Sequence, residues 1–408
     1  MIPIGLIIFT VIIINSILIF ADIFLYKKVK KVVSERNYDP LLSKFYLFTI
    51  PIFAFWLVLN SGLRWLNPIP SKFVVFSNYL LTFWYLPKFL IFLAIVIGTL
   101  IKRLIFIFSK RSLQQKNSAT SEGRRKFVTA LGWGAVGLPY LALAHESFKT
   151  TLNPKVSFVE VPILNLPKSF KDLKFVQISD IHAGSLPSVG FFQKIVEIIN
   201  SLSADFVLIT GDFVNFSSRE IDLIGKSLSE IYARYSVLAC PGNHEHYMKQ
   251  SEFEELIRKI REFNVDILIN ENRVFFVEGE KLQIAGVDNT SHRMNYADFN
   301  KALKGLDKDL PIILLCHDPT NWDKSVRGKL KVDLMLSGHT HGGQIALEVF
   351  NSKISPAAFF YKQYAGLYSD GEQHLYVNTG VGMVGVPVRA GLPPEITMIR
   401  LVEPEQYT

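Results

Sequence analysis

Hydrophobic positions divide the chain into two parts with different patterns. In the first part, apolar residues form long runs at 2–25, 45–63, 79–101 and 127–144. A helix needs about 20 such residues to cross a bilayer. The first three runs are close to that length, whereas the fourth is shorter and rich in glycine. The pattern predicts an all-α transmembrane region of about four helices over residues 1–149.

The second part alternates short apolar runs with amphipathic segments, which is the pattern of strands and helices that follow one another. Strands are predicted at 174–179, 205–210, 235–240, 282–287, 311–316 and 332–336. Helices are predicted near 189–201, 219–233, 251–263 and 296–305. This alternation predicts one α/β domain over residues 150–408.

Charge follows the same division. The chain carries 44 Lys and Arg against 36 Asp and Glu, a net charge of +8. Residues 1–149 hold 18 of the basic and 5 of the acidic residues, which leaves 26 basic and 31 acidic residues in the second part. The basic excess therefore flanks the apolar runs, as it does in membrane proteins. A nucleic-acid partner is not expected on this ground.

Two strongly basic loops, 27–44 and 102–126, predict the orientation of the helices, because such loops stay in the cytoplasm. With four spans, the α/β domain lies on the other side. We therefore expect a multi-pass protein of the cytoplasmic (cell) membrane with an extracytoplasmic α/β domain. If 127–144 does not cross, the domain is cytoplasmic, and the sequence leaves this alternative open.

The chain has two cysteines, Cys240 and Cys316, so no disulfide framework is implied. Both fall in apolar runs, which predicts two buried structural thiols. A disulfide between them stays open at this stage.

The candidate chemistry begins where the first predicted strand of the α/β domain ends. Residues 175–178 are apolar, and Asp180 and His182 follow, two positions apart. On an extended chain such residues point to the same side. The spacing therefore predicts a carboxylate and an imidazole directed at one point beyond the carboxyl end of the strand.

Four more predicted strands end in residues of the same kind. They end in Gly211-Asp212, in Gly242-Asn243-His244-Glu245, in His317 and in Gly338-His339-Thr340-His341. A mixed set of carboxylate, amide and imidazole groups suits two divalent metal ions, with Mn, Fe or Zn favoured over Ca. Two such ions that share a carboxylate can bind a phosphoryl group and activate a water molecule for its hydrolysis.

The order Asp-x-His, Gly-Asp, Gly-Asn-His-Glu, His, Gly-His-x-His resembles that of the calcineurin-like metallophosphoesterases, and the tail at 378–396 looks like their bacterial, membrane-attached branch. The resemblance covers about 174–400 and implies a four-layer α-β-β-α sandwich. It implies one metal held by Asp180, His182, Asp212 and His341, and the other by Asp212, Asn243, His317 and His339, with Asp212 as the bridge. It also implies that His244 contacts the phosphate and either stabilises the transition state or protonates the leaving oxygen.

One position departs from the pattern of that family. The stretch Gly211-Asp-Phe-Val-Asn215 ends in Asn, where the family usually has a second acid. An amide can hydrogen-bond to a ligand but adds no charge. Because every ligand position is filled, we expect activity to persist, and the effect of Asn215 is left open.

These expectations describe a metallophosphoesterase that hydrolyses phosphodiester, phosphomonoester or pyrophosphate bonds near the membrane. The expected partners are a phosphate-ester substrate, with lipid-linked esters among the candidates, and the lipid bilayer. One alternative is a nucleotide-sugar lipid pyrophosphatase at the inner leaflet, which a cytoplasmic domain would favour. Another is a sensor that binds metal or phosphate without turnover. A transporter is disfavoured, because Asp22, Arg64 and Lys88 can lie near span ends.

Several residues have more than one interpretation. The aromatic segment 355–364 is predicted either to touch the bilayer or an acyl chain, or to pack in the core. Arg389 either meets the phosphate or is structural. His246 is exposed or supports a metal ligand. Surface or core positions are expected for His145, His292 and His374.

Overall fold

The computed structural model describes residues 4–35, 40–66, 72–108, 147, 149–291, 294–349, 352–385 and 388–404. Contacts divide the chain into two compact units, one formed mainly by the N-terminal helices and one by the chain from Ser147 onward.

The helical unit contains α1 (Ile4–Glu35), α2 (Pro40–Leu66) and α3 (Lys72–Phe108). Two stretches within it, Ser43–Gly62 and Leu80–Leu100, are long and apolar enough to cross a membrane. They coincide with two of the predicted apolar spans. The predicted span at 127–144 lies outside the described residues.

A buried ion pair joins these helices. The carboxylate of Asp22 in α1 is fully buried and lies 2.9 Å from Lys88 Nζ of α3. Tyr46 of α2 donates its hydroxyl to the same carboxylate at 2.6 Å. The pair was not predicted from the sequence, where Asp22 and Lys88 were expected near span ends, because helix packing brings together residues that are 66 positions apart.

The C-terminal unit is built on two six-stranded sheets. The first contains β1 (Lys155–Pro162), β2 (Lys174–Ile178), β3 (Phe206–Thr210), β4 (Ser236–Cys240), β5 (Asp266–Ile267) and β14 (Glu395–Val402). The second contains β6 (Glu271–Val277), β7 (Glu280–Gly286), β8 (Ile312–Leu315), β9 (Leu334–Ser337), β12 (Gly366–Asp370) and β13 (Gln373–Val377). A small hairpin is formed by β10 (Leu347–Val349) and β11 (Ser352–Ile354).

The strand order is β1-β14-β2-β3-β4-β5 in the first sheet and β12-β13-β9-β8-β7-β6 in the second. Strands β2, β3 and β4 are parallel, as are β7, β8 and β9. Their carboxyl ends therefore share one edge of each sheet, where open α/β sheets bind ligands.

Alternating side chains build three hydrophobic layers. In β3, Phe206 and Leu208 face a core between the two sheets, while Val207 and Ile209 face the helices. On that side lie α4 (Val189–Ser201), α5 (Gly225–Ser229) and α6 (Gln250–Glu262), whereas α7 (Phe299–Ala302) lies outside the second sheet. Trp322 belongs to the third layer, outside the second sheet. The predicted α-β-β-α sandwich is confirmed.

The main differences from the predicted elements lie in short helices and edge strands. The helix predicted at 219–233 is a 3-10 turn, Ser218–Leu223, followed by the short α5. The break falls at Ile224 (φ −119°, ψ −2°), which ends the 3-10 turn and precedes α5. Cys240 and Cys316 are both buried and free, in separate core layers, so the disulfide left open is not formed.

Candidate metal centre

Five strand ends meet at one place. Strands β2, β3, β4, β8 and β9 deliver the predicted residues Asp180, His182, Asp212, Asn243, His244, His317, His339 and His341. All of them except His339 are buried. The structure therefore brings the whole predicted set together.

The backbone directs these side chains through left-handed turns. Positive φ angles occur at Asp180 (52°), His182 (47°), Asp212 (57°), His339 (72°) and His341 (51°). Such angles are strained for residues other than glycine, and they concentrate at functional sites. Asp180 and His182 do lie together, but the expectation of an extended chain is wrong, because β2 ends at Ile178 and both residues lie in the turn beyond it.

Two groups of ligand atoms form the centre, each with its atoms within 4.8 Å of one another. In the first, His341 Nε2 lies 3.2 Å from Asp180 Oδ1 and 3.1 Å from His182 Nε2. The second consists of Asp212, His317 and His339. Asp212 Oδ2 lies 3.1 Å from His317 Nε2 and 3.6 Å from His182 Nε2, so this carboxylate faces both groups.

The free acceptor atoms suit metal ions. The side-chain amide of Asn243 donates to Tyr247 Oη at 2.8 Å, and its Oδ1 has no hydrogen-bond partner among the residues that the structure describes. His317 donates from Nδ1 to the carbonyl of Thr210 at 2.6 Å, which leaves Nε2 facing Asp212. A buried unpartnered oxygen is costly unless a ligand satisfies it. These ligand atoms fit two divalent cations.

Burial and neighbouring charges separate the pKa values of the site. Burial raises the pKa of Asp180 to about 6 and lowers the pKa of His182 to about 3. Although burial opposes it, the charge of His317 holds the pKa of Asp212 well below its usual range. Burial likewise opposes the shift at His317, yet Asp212 raises its pKa to about 10. The carboxyl group of Asp212 is therefore the more acidic of the two.

His244 is fixed by two hydrogen bonds. Its Nδ1 donates to the carbonyl of Asn215 at 2.7 Å, and its backbone N–H donates to Asp212 Oδ1 at 2.9 Å. Its ring meets that of His182 edge-on, with centroids 4.6 Å apart. His244 also lies with His182 and Asp212 in a third group that could hold an ion. The predicted contact of His244 with phosphate stays a prediction.

Glu220 holds Asn215, the position where the resembled family usually has a second acid, and it was not predicted from the sequence. Its carboxylate accepts from the backbone N–H of Asn215 at 2.6 Å and from its side-chain amide at 3.1 Å. Phe216 donates its backbone N–H to the other oxygen at 3.1 Å. A Cβ on Gly184 would stand 2.5 Å from Glu220 Oε2. The loop that orients His244 is thus held by a carboxylate that no motif spacing reveals.

Glu245 anchors the turn that carries Asp212. It is fully buried and accepts from the backbone N–H groups of Asp212, Phe213 and Gly242 at 2.9, 2.8 and 2.7 Å. Burial raises the pKa of this carboxyl group. Glu245, the last residue of the Gly-Asn-His-Glu motif, therefore positions Asp212 through its backbone.

The structure gives positions for Arg389, His246 and His374, which had more than one interpretation. Arg389 is fully buried and donates to the carbonyls of Gly382 and Thr379, and it lies 3.4 Å from His341 Nδ1, so it is structural. His246 lies 2.6 Å from Asp288 Oδ1. His374 is buried, while His145 and His292 lie outside the described residues.

The aromatic segment 355–364 borders the centre. Tyr361 Oη lies 3.2 Å from His339 Nε2, a contact that the sequence did not reveal. Phe359 and Phe360 are strongly exposed, so core packing, one of the two interpretations of this segment, is wrong for them.

Comparisons with known proteins bear on this centre. Residues 173–343 match the profile of the calcineurin-like phosphoesterases. A transmembrane protein with metallophosphoesterase domain from Danio rerio is 30% identical over 408 residues, which cover 95% of this chain and 88% of that protein. Phosphodiesterase YaeI of Escherichia coli (strain K12) is 27% identical over 57% of this chain and 85% of its own length. The solved structure of a dimetal phosphatase from Danio rerio covers 57% of this chain and 93% of its own, at 12% identity and a TM-score of 0.35, which is too low to support an argument.

Proposed function

Since the chain belongs to the calcineurin-like phosphoesterase family and is a phosphoric ester hydrolase, we propose that it hydrolyses phosphodiester, phosphomonoester or pyrophosphate bonds of a membrane-proximal substrate. The observation that carries this proposal is the position of Asp212. Its carboxylate belongs to the group with His317 and His339 and also to the group with His182 and His244, as expected of a residue shared by two cations.

Each site residue has a proposed role. One divalent cation is held by Asp180, His182, Asp212 and His341, and the other by Asp212, Asn243, His317 and His339. Bound at this position, two such ions supply Lewis acidity toward the phosphoryl oxygens and lower the pKa of a water molecule. His244, held through Nδ1 by the Asn215 carbonyl, directs Nε2 into the site. From there it stabilises negative charge on the phosphoryl group or donates a proton to the leaving oxygen.

Within this substrate class, a phosphodiester is favoured. The Escherichia coli relative is named a phosphodiesterase. A phosphomonoester dianion gains more from an additional cationic side chain than a diester monoanion does. Arg389, however, donates to the backbone carbonyls of Gly382 and Thr379 and does not present its guanidinium to a substrate. It therefore cannot bind the second negative charge of a phosphomonoester, which favours the diester. Mn, Fe and Zn all suit this mixture of ligands.

The test compares the full chain with two variants. We expect the Mn-loaded protein to hydrolyse bis-p-nitrophenyl phosphate faster than p-nitrophenyl phosphate. Asp212→Ala should lose bound metal and activity together, whereas His244→Ala should keep two metals per chain and lose at least tenfold in kcat. Loss of metal from His244→Ala would make His244 a ligand. Metal-loaded wild-type protein without turnover of any phosphate ester would refute the proposal.

We also propose that the helical unit spans the cytoplasmic membrane several times, with the hydrolase domain outside the cytoplasm. Support comes from the two apolar stretches in α2 and α3 and from the basic loops beside them. Because Cys240 and Cys316 are buried, a cysteine placed at the exposed Glu372 can be labelled selectively. A membrane-impermeant maleimide should label Glu372→Cys in intact cells. Labelling only after lysis would place the domain in the cytoplasm.

A further inference from the structure

Two adjacent phenylalanines beside the metal centre are unusually exposed. Phe359 is 82% and Phe360 is 81% exposed, more than any other large apolar side chain in the described ranges. For comparison, Phe55 of α2, which lies within an apolar stretch long enough to cross a membrane, is 69% exposed. Single exposed apolar residues are common, but a contiguous apolar patch beside a functional site marks an interaction surface.

The start of this segment is packed onto the turn that carries the metal ligands. Ser355 caps the 3-10 turn Pro356–Phe359 by accepting from the Ala357 N–H at 3.1 Å. The same hydroxyl donates to the carbonyl of Gly342. A Cβ on Gly343 would stand 2.9 Å from the Ala357 nitrogen. The two phenylalanines are therefore attached to a fixed support.

The end of the segment is held at the same place. Tyr361 Oη lies 3.2 Å from His339 Nε2, and Thr340 donates its hydroxyl to the carbonyl of Tyr364 at 2.6 Å. Since both ends are tied to residues 339–342, Phe359 and Phe360 keep their position relative to the metal ligands. A surface that binds at this patch would lie next to the site of hydrolysis.

We propose that Phe359 and Phe360 insert into the interface of a phospholipid bilayer and hold the metal centre at the level of the headgroups. The inference rests on the proposed phosphoesterase function and narrows its substrate to phosphate esters within that layer. The two apolar rings are followed by Tyr361 and by the exposed Lys362, whose Nζ lies 3.8 Å from Asp323 Oδ2. This sequence of residues has the composition of an interfacial anchor. The bilayer is the favoured occupant because the same chain carries helices of membrane length.

Depth-dependent fluorescence quenching tests this contact. The full chain is reconstituted into bilayers of phosphatidylcholine and phosphatidylglycerol with brominated acyl chains, which quench tryptophan at short range. Phe359→Trp is compared with wild type and with Tyr232→Trp, a control in the same domain at a residue that is 65% exposed. The added tryptophan at 359 should be quenched at least twofold more than the added tryptophan at 232.

Equal quenching at both positions would overturn the inference. A blue-shifted emission of the 359 tryptophan without bromine quenching would also overturn it, because a protein would then cover the patch. Hydrolysis of bis-p-nitrophenyl phosphate by the same preparations tests the proposed function separately. Strong quenching in a protein without turnover would leave the bilayer contact standing and refute the phosphoesterase proposal.

Discussion

The role of Glu245 as an anchor leads to a quantitative prediction for Glu245→Gln. The native carboxylate accepts three short backbone hydrogen bonds, two at Oε2 and one at Oε1. The isosteric glutamine can still accept the hydrogen bonds from Asp212 and Gly242 at its one oxygen. Its NH₂ group then faces the Phe213 N–H, so this donor has no acceptor. One orphaned buried donor costs about 1–3 kcal/mol, and the loss of charge adds to this. We expect a free energy of unfolding lower by about 3 kcal/mol, or a Tm lower by roughly 6–12 °C for a domain of this size.

The same substitution should affect the metal centre, because the backbone of Asp212 is one of the three donors. Outer partners of metal ligands contribute about 10–100-fold to affinity or activity. Activity at limiting Mn should therefore fall by about that factor and partly recover with excess metal. Thermal unfolding and metal titrations of the full chain measure both effects, with Glu197→Gln, an exposed position in α4, as the matched control. A Tm equal to that of the control, with activity lost at saturating metal, would refute an anchoring role.

Three other contacts have consequences that can be measured. Although burial opposes it, the carboxylate of Asp212 raises the pKa of His317 to about 10. Metal loading at pH 8 should therefore release about one proton, and metal affinity should rise with pH. Calorimetry in buffers of different ionisation enthalpy measures this proton release, and finding none would contradict the prediction. Removing one partner of the ion pair, by Asp22→Leu or Lys88→Leu, should destabilise the protein in detergent by about 3 kcal/mol. The double variant should recover part of that loss, and additive losses would exclude coupling. Gly184→Ala crowds the carboxylate of Glu220, which holds the loop at Asn215, and it should lower kcat at least tenfold with metal retained. The control Gly190→Ala in α4 should leave kcat unchanged. Equal kcat values for the two variants would contradict this prediction.

The sequence predicted the parts of the site that lie at the ends of regular strands. Motifs such as Gly242-Asn243-His244 keep a fixed spacing from the strand before them, so the residues and their convergence could be predicted. The turns themselves could not, because the left-handed φ values at Asp180 and His182 depend on hydrogen bonds across strands. Asp180, for example, donates its backbone N–H to the carbonyl of Gly211 at 3.0 Å.

Side-chain contacts that no motif encodes were the other source of missed features. Glu220 lies in a stretch whose composition favours a helix, and nothing in its spacing connects it with Asn215. Asp22 and Lys88 are far apart in sequence, and only helix packing joins them. Edge strands such as β1 were missed as well, because half-exposed positions weaken the apolar pattern on which strand prediction depends.

The place of β14 in the first sheet has a consequence for biosynthesis. Strand β14 lies between β1 and β2, parallel to the former and antiparallel to the latter. When β1, β2 and β3 have left the ribosome, β1 still lacks its partner and β2 presents an unpaired edge. The sheet can therefore close only after residues 395–402 have been made. A premature stop codon between positions 342 and 395 would leave every proposed metal ligand encoded, yet yield a product with two open strand edges that favour aggregation.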